Sequence, residues 1–254
     1  MSGLDTMAFD ERKRKLQNRV LGQAMDKLKK KKGLRILCLP GEAAWDLGFF
    51  GRFKNVTEIV GVEREKSIAE GLARGRHKKT TIVHSTTTDY IAEADEPFDI
   101  VYLDYMGTLS FTVTLDIALL FRRKLIRPGG FMATNIFVNR GSSCLSTAAE
   151  LAYQDFCEAA DTLMETNPEY SRLMVLAWNS LVGIRAYEPT SPKGHYVEAT
   201  TPDWLGYKTH GNNGLMYTGI TRVKAYPKKA CKKGIKTDRK KWLRQGLYRI
   251  VDKV

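Results

Sequence analysis

Four short apolar runs, spaced by turn and helix signals, constrain this chain more than any other feature. They lie in Arg35-Ile36-Leu37-Cys38-Leu39, Ile59-Val60-Gly61-Val62, Ile82-Val83 and Phe98-Asp99-Ile100-Val101-Tyr102-Leu103. Runs this short, apolar at successive positions, suit strands buried on both faces, the pattern of a parallel sheet. Helical stretches separate the first two runs and follow the second. The expected fold is therefore α/β, a doubly wound and mostly parallel sheet. Ligands of such sheets bind outside the carboxyl ends of the strands. Those ends carry Pro40-Gly41-Glu42, Glu63, Ser85 with Asp89, and Asp104.

A chain of 254 residues is long enough for one large domain with a full core. Three segments are expected: a basic N-terminal helix at 1–33, the sheet domain at 34–225 and a basic extension at 226–254. No apolar run is long enough to span a membrane, and no signal peptide opens the sequence. Cys38, Cys144, Cys157 and Cys231 are scattered, which points to reduced thiols in a cytoplasmic setting, or a nuclear one in a eukaryote. No His/Cys cluster has metal-ligand spacing, and neither a nucleophile elbow nor a phosphate-loop lysine motif is present.

Charge is unevenly placed. The net charge is +13, but residues 10–35 carry +8, residues 222–254 carry +11 and Asp5 adds −1, so residues 36–221 sum to −5. Two basic ends flank a mildly acidic middle. Such ends attract polyanions, with nucleic acid the usual candidate. A solvated, solubilising surface is the plain alternative. Lys228, Lys229, Lys232, Lys233 and Lys236 are the candidate phosphate-binding cluster.

In chain order, a helix is expected over 8–31 with Leu16, Val20, Ala24 and Leu28 as its apolar stripe. Strands are expected at 35–39, 58–62, 80–84 and 98–103. Helices should follow the first two, and Asp89 could cap a short segment at 90–94. An apolar helix at 111–125 precedes Pro128-Gly129-Gly130, which should turn the chain into a strand at 131–137. A helix is expected over 142–165. Residues 173–187 fit helix or strand equally, 188–213 read as a long irregular segment, and 215–225 as a strand. The apolar residues between Trp242 and Val251 suggest that the end of the tail docks. His84 reads as structural, while His195 and His210 lie in the irregular segment.

This order of elements resembles the class I S-adenosylmethionine-dependent methyltransferases, over roughly residues 35–225. The matching residues are Pro40-Gly41-Glu42, Glu63, Asp89, Asp104 and Arg127-Pro128-Gly129-Gly130-Phe131. The resemblance implies S-adenosylmethionine as cofactor. It places Pro40, Gly41 and Glu42 around the methionine moiety, Glu63 on the ribose hydroxyls, Asp89 near the adenine and Asp104 beside the reacting methyl. A carboxylate such as Glu63 can accept two hydroxyl hydrogen bonds at once. The chain departs from the family in its loop after strand one, where a single glycine, Gly41, stands in place of three. Glu42 or Asp46 could supply negative charge there.

Asp104-Tyr105-Met106-Gly107 partly resembles the Asp-Pro-Phe-Gly of tRNA guanine-N2 methyltransferases. Asp104 would accept a hydrogen bond from an exocyclic amine, and Tyr105 would stack on an exposed base. No lysine follows strand five as ribose methylation would need. Each acid has a bland alternative: Glu63 as a helix-start acid, Asp104 as a turn residue, Asp89 as a cap. The reading that follows is a methyltransferase acting on a nucleic-acid base, RNA or DNA. Its rivals are a non-catalytic nucleic-acid-binding protein on a degenerate form of the same fold, and a methyltransferase for a protein or small molecule.

Overall fold

The computed structural model describes residues 11–75, 77–108, 111–138, 186–188, 195–199, 203–208, 215–225 and 248–250. Five parallel strands form its centre: β1 (Leu34–Cys38), β2 (Val56–Glu63), β3 (Thr80–His84), β4 (Phe98–Thr108) and β5 (Ile126–Val138). Between them lie α2 (Trp45–Gly51), α3 (Lys66–Arg74), α4 (Thr87–Glu93) and α5 (Phe111–Arg122), and α1 (Glu11–Lys27) precedes them all. The later strands are β6 (Ala186–Glu188), β7 (His195–Ala199), β8 (Asp203–Lys208), β9 (Leu215–Ala225) and β10 (Tyr248–Ile250). The sheet runs β10-β8-β9-β5-β4-β1-β2-β3, with β9 antiparallel to β5 and β8 antiparallel to β9.

The apolar runs explain the layering. One face of the sheet buries Ile36, Ile59, Ile100 and Phe131 against Leu21, Ala24 and Met25 of α1, Leu47 and Phe50 of α2, and Leu72 of α3. The other face buries Leu37, Val60, Val101 and Met132 against Ile91 of α4 and Ile117, Leu120 and Phe121 of α5. Alternate residues of each strand thus serve opposite layers, which is why the runs are continuously apolar. Val20, Leu21, Met25 and Leu28 of the α1 segment are buried, a gross stabilisation of about 6–12 kcal/mol at about 1.5–3 kcal/mol per large apolar side chain. The basic helix is therefore a packed layer of the domain.

Asp99 opens β4 with no exposed surface. Lys31 Nζ at 2.6 Å, Arg127 Nη1 at 2.7 Å and the Arg35 backbone N–H at 2.9 Å surround its carboxylate. A buried charge persists only when paired in this way.

Several expectations change. Thr86, not Asp89, caps α4: its Oγ1 accepts from the Asp89 N–H at 3.1 Å and donates to Asp89 Oδ2 at 2.6 Å. β5 begins at Ile126, before the Pro-Gly-Gly turn, because Ile126 already pairs with Phe98. The turn is a bulge inside the strand, where the partner advances from Phe98 to Ile100 while this strand advances from Ile126 to Phe131. Gly129 there has φ +84°, and a Cβ on Gly130 would sit 2.7 Å from the Asp99 carbonyl oxygen, so both must be glycine. The segment 188–213 is not uniformly irregular, since β7 and β8 fall within it. Pro, Gly and Thr residues in the sequence around them hid two short strands, each paired on both sides: β7 with β6 and β9, and β8 with β10 and β9. β10 pairs in parallel with β8, which docks part of the tail. The expected helix at 142–165 and the lysines at 228–236 lie outside the described residues.

Candidate functional site

Strand order reverses between β1 and β4, which neighbour each other although β2 and β3 intervene in sequence. The carboxyl ends of these two strands therefore flank the switch-point crevice where doubly wound sheets bind ligands. Register fixes which residues meet there. Glu63 pairs with His84, Cys38 with both Gly61 and Tyr102, Asp104 with Asn135, and Asn135 with Thr218. Pairing of β1 ends at Cys38; carried two residues on, its register sets Pro40 between Glu63 and Asp104. Strands lie about 4.8 Å apart, so Glu63 and Asp104 are separated by about 10 Å, with the Pro40 turn between them.

Asp104 is held firmly. Asn135 Nδ2 donates to its Oδ1 at 2.7 Å and Gln17 Nε2 to its Oδ2 at 3.1 Å. The Gln17 amide also donates to the Tyr102 hydroxyl, and the Thr218 hydroxyl donates to Asn135 Oδ1 at 2.8 Å. Gln17 is 2% exposed and Asn135 and Thr218 are fully buried. The carboxylate thus sits at the end of a chain of buried amides and hydroxyls drawn from α1, β5 and β9. Each carboxylate oxygen offers two acceptor sites.

The turn after β1 is tight. Gly41 has φ +55° and Ala44 φ +50°, and the Ala44 N–H donates to the Gly41 carbonyl at 3.3 Å. Pro40 is buried; its Cγ lies 3.1 Å from where a Cβ on Gly61 would stand. At Gly41 an added Cβ would meet nothing within 4 Å, so a ligand can approach this backbone. Glu42 is exposed at the turn, and Asp46 is buried in the first turn of α2. Cys38 beneath the turn has its thiol pushed well up by burial and then by the Asp46 charge, so it is no nucleophile.

Glu63 is half-buried and its Oε1 accepts from the Glu65 N–H at 2.9 Å at the start of α3. Its second oxygen has no partner among the described residues. The Ser85 N–H donates to the Glu63 carbonyl at 3.1 Å, which draws the ends of β2 and β3 together. A half-buried carboxylate with a spare oxygen, beside a backbone open at Gly41, fits a ribose and its 5′ substituent. Asp89 is exposed and tied to Thr86, one strand further out.

The structure does not bring the Tyr105 side chain to Asp104. Strand alternation sends Tyr105 to the opposite face, where its hydroxyl donates to Asp116 Oδ2 at 2.7 Å. The Thr88 hydroxyl donates to Asp116 Oδ1 at 2.5 Å, and Asp116 has no exposed surface. Burial raises the Asp116 carboxyl, assisted by Asp89, against the lowering effect of its two hydroxyl donors. Burial, then Asp116, pushes the Tyr105 phenol well above its ordinary value. The expected stacking role of Tyr105 finds no support in this placement.

Sequence reasoning passed over Gln17, Asn135, Thr218 and Asp116. Asn135 carried a readable signal, as an amide inside the apolar run Phe131–Phe137. Gln17 did not, because it looks like any polar residue of a basic helix. Among the described residues no group of His, Cys, Asp and Glu could hold a metal ion, and no helix is long and apolar enough to cross a membrane.

No protein-family model matches the sequence, and no curated protein is significantly similar to it. Among solved structures the chain aligns with a protein assigned as a methylase from Haemophilus influenzae, at 12% identity and a TM-score of 0.45, over 81% of this chain and 98% of that one. A protein assigned as an rRNA-methylase from Clostridium thermocellum aligns at 12% identity and a TM-score of 0.42, over 82% and 97%. Trm5b from Pyrococcus abyssi aligns at 8% identity and a TM-score of 0.46, over 82% of this chain and 49% of that one. Identities this low speak of fold alone. The fold is α/β, doubly wound and class I methyltransferase-like, as the chain's own strand order and directions establish.

Proposed function

We propose that this protein is an S-adenosylmethionine-dependent methyltransferase acting on nucleic acid, at an amine nitrogen of a base. The observation that carries this reading is the row formed by Glu63, the Gly41 turn and Asp104 at the switch point, with Asp104 oriented from behind by Gln17 and Asn135. Glu63 would hold the ribose hydroxyls through its spare oxygen. Pro40, Gly41 and Glu42 would line the methionine end. When bound, the cofactor would supply a sulfonium methyl that an amine lone pair accepts in line, with the neutral thioether as leaving group.

The chain's own work is then positioning. Asp104 accepts an N–H of the target amine, which aims the nitrogen lone pair away from the carboxylate and toward the methyl. Transfer to the amine would place developing positive charge on its nitrogen. A fixed carboxylate stabilises that charge without having to reorganise. Two amide donors prevent Asp104 from swinging out of line. The nucleic-acid part of the reading rests on the two basic ends and on the amine-compatible chemistry of Asp104.

A second reading has its own support. Pro40 is buried against Gly61, and the turn holds one glycine, so a non-catalytic nucleic-acid-binding protein on this fold is the rival. Incubation with methyl-labelled S-adenosylmethionine and total nucleic acid decides between them. Label that RNase or DNase releases supports the enzyme. Label in protein or small molecules instead would move the substrate class, and calorimetry without cofactor binding would leave the rival.

A further inference from the structure

We infer that the amino-terminal edge of the sheet, opposite the candidate site, is a second phosphate-binding surface, and that α1 is the track joining it to the site. This rests on the nucleic-acid reading above and names where on the molecule the partner lies.

Three segments that are distant in sequence converge at this edge. The Leu34 N–H donates to the Asn55 carbonyl at 2.9 Å, and Asn55 Nδ2 donates to the carbonyls of Leu28 at 3.2 Å and Lys31 at 3.1 Å. Lys79 Nζ donates to the Phe53 carbonyl at 3.0 Å, and the Ile59 N–H to the Lys79 carbonyl at 2.7 Å. These bonds lock residues 28–34, 52–55 and 77–80 into one surface. It presents Lys29, Lys30, Lys32, Arg52, Lys54, Lys78 and Lys79, all exposed. The −5 summed over residues 36–221 therefore hides a basic edge.

Asp26, exposed at the end of α1, is the one carboxylate beside Lys29 and Lys30 without an ion pair among the described residues; the others nearby are already paired. Asp95, Glu96 and Asp99 around the start of β4 are taken by Arg123, by Arg35, and by Lys31 with Arg127. Glu58 is taken by Arg35. Lys29, Lys30, Lys32, Lys54 and Lys78 have no ion-pair partner among the described residues. Like charges gathered on a rigid edge repel one another, and a polyanion relieves that repulsion while releasing its own counterions.

The helix sets the scale. Gln17 touches Asp104 at the carboxyl edge, and Lys30 lies at the other edge. At 1.5 Å per residue the separation is about 20 Å, which is about six steps of a duplex rising 3.4 Å each. Arg19 and Lys27 are exposed along the way. A nucleic acid with one base at Asp104 can lay a neighbouring stretch of backbone on this edge, provided it is long enough.

The test compares the full chain with the quadruple variant Lys30→Gln, Lys32→Gln, Lys54→Gln and Lys78→Gln, whose side chains are exposed and unpaired. Binding of a fluorescein-labelled single-stranded RNA and of a labelled DNA duplex is titrated at several salt concentrations. The expected result is a shallower salt slope for the variant, by up to about 0.7 per lysine on a single strand and about 0.9 on a duplex. The difference should vanish on probes much shorter than about six steps. If the unaltered chain binds both probes steeply and the variant does so identically, the edge is not a phosphate surface, although the nucleic-acid reading stands. If the unaltered chain binds neither probe, both fall. Anionic phosphatidylserine vesicles form the last arm: loss of vesicle binding with unchanged nucleic-acid slopes overturns the proposal in favour of a membrane surface.

Discussion

Asp104→Asn is the sharpest test of the reacting centre, because the structure says what the amide must do to fit. Both oxygens of Asp104 face amide donors, Asn135 Nδ2 at 2.7 Å and Gln17 Nε2 at 3.1 Å. An asparagine has only one oxygen, so one donor would face its NH2 group. Asn135 resists rotation because its own oxygen accepts from Thr218 at 2.8 Å. Gln17 is the freer partner. Turning its amide would present an oxygen to the new NH2 and to the Tyr102 hydroxyl, which can then donate. The fold should therefore survive at a cost of about 1–3 kcal/mol, which is the range for one buried hydrogen bond made badly. For a chain of this size that lowers Tm by roughly 2–4 °C per kcal/mol. Turnover should suffer much more. A neutral amide can orient an amine but cannot stabilise the positive charge developing on nitrogen, and a preorganised electrostatic partner contributes about 10²–10³-fold. At 1.36 kcal/mol per decade this is about 3–4 kcal/mol, realised in the transition state and not in cofactor binding. The assay is transfer of labelled methyl to nucleic acid, with cofactor affinity from calorimetry and Tm from thermal melting. Native turnover in a folded variant would refute the assignment and make Asp104 a turn residue.

Glu63→Ala should weaken cofactor binding by about 1–3 kcal/mol, since ribose hydroxyls would lose a charged acceptor; calorimetry on both forms measures it, and equal affinities would return Glu63 to a helix-start role at α3. Asp116→Asn tests the buried pair with Tyr105 through pH. The folded state keeps the Asp116 proton above the ordinary carboxyl value of about 3.9, where the unfolded chain has lost it. Wild-type stability therefore falls as pH rises through that window, the variant lacks this fall, and denaturant titrations at several pH values should show the variant gaining on wild type; a pH-independent difference would contradict it. Neutralising Lys228, Lys229, Lys232, Lys233 and Lys236 together should weaken nucleic-acid binding and flatten its salt slope with target preference unchanged. An unaltered slope there would mark the cluster as a solvated surface.

Much of the fold was legible because parallel strands are written in the sequence as unbroken apolar runs. β3 and β9 fall where the pattern puts them, and the other central strands differ only at their ends. The failures share a physical cause. β7 and β8 are short strands set among turn residues in the sequence, and pairing on both sides, to β9 and to β6 or β10, decides them, not local propensity. The bulge at Pro128-Gly129-Gly130 reads as a turn because its glycines serve a backbone approach to Asp99 that only the folded sheet creates. In the site, Glu63 ends β2 as expected, whereas Asp104 lies inside β4, at the last paired position before its register shift. Which way a side chain leaves β4 depends on parity: Asp104 faces α1 and Tyr105 faces α5, so the two residues read as one motif serve different layers.

That parity also decides what α1 is. Its inner face carries Gln17, which fixes Asp104, its outer face carries the exposed Arg19, and Lys27 at its end lies over the Phe131 ring. A helix joining a charged surface to a reacting centre invites description as a switch. Magnitudes argue for a bracket. The buried side chains of the α1 segment contribute about 6–12 kcal/mol gross, an upper bound because the unfolded chain already hides some of that area. A ligand shifts a conformation only by its differential affinity for the two states. Phosphate contacts on the outer face of a docked helix would be much the same with the helix docked or displaced, so they supply little of that difference. Lys31 adds a second fastening through Asp99 at the far end of the segment, opposite Gln17. Held at both ends and along its apolar stripe, α1 keeps Asp104 in one orientation whether or not its outer face is occupied. On the proposed reading, substitutions on its outer face should alter nucleic-acid binding while those at Gln17 alter turnover.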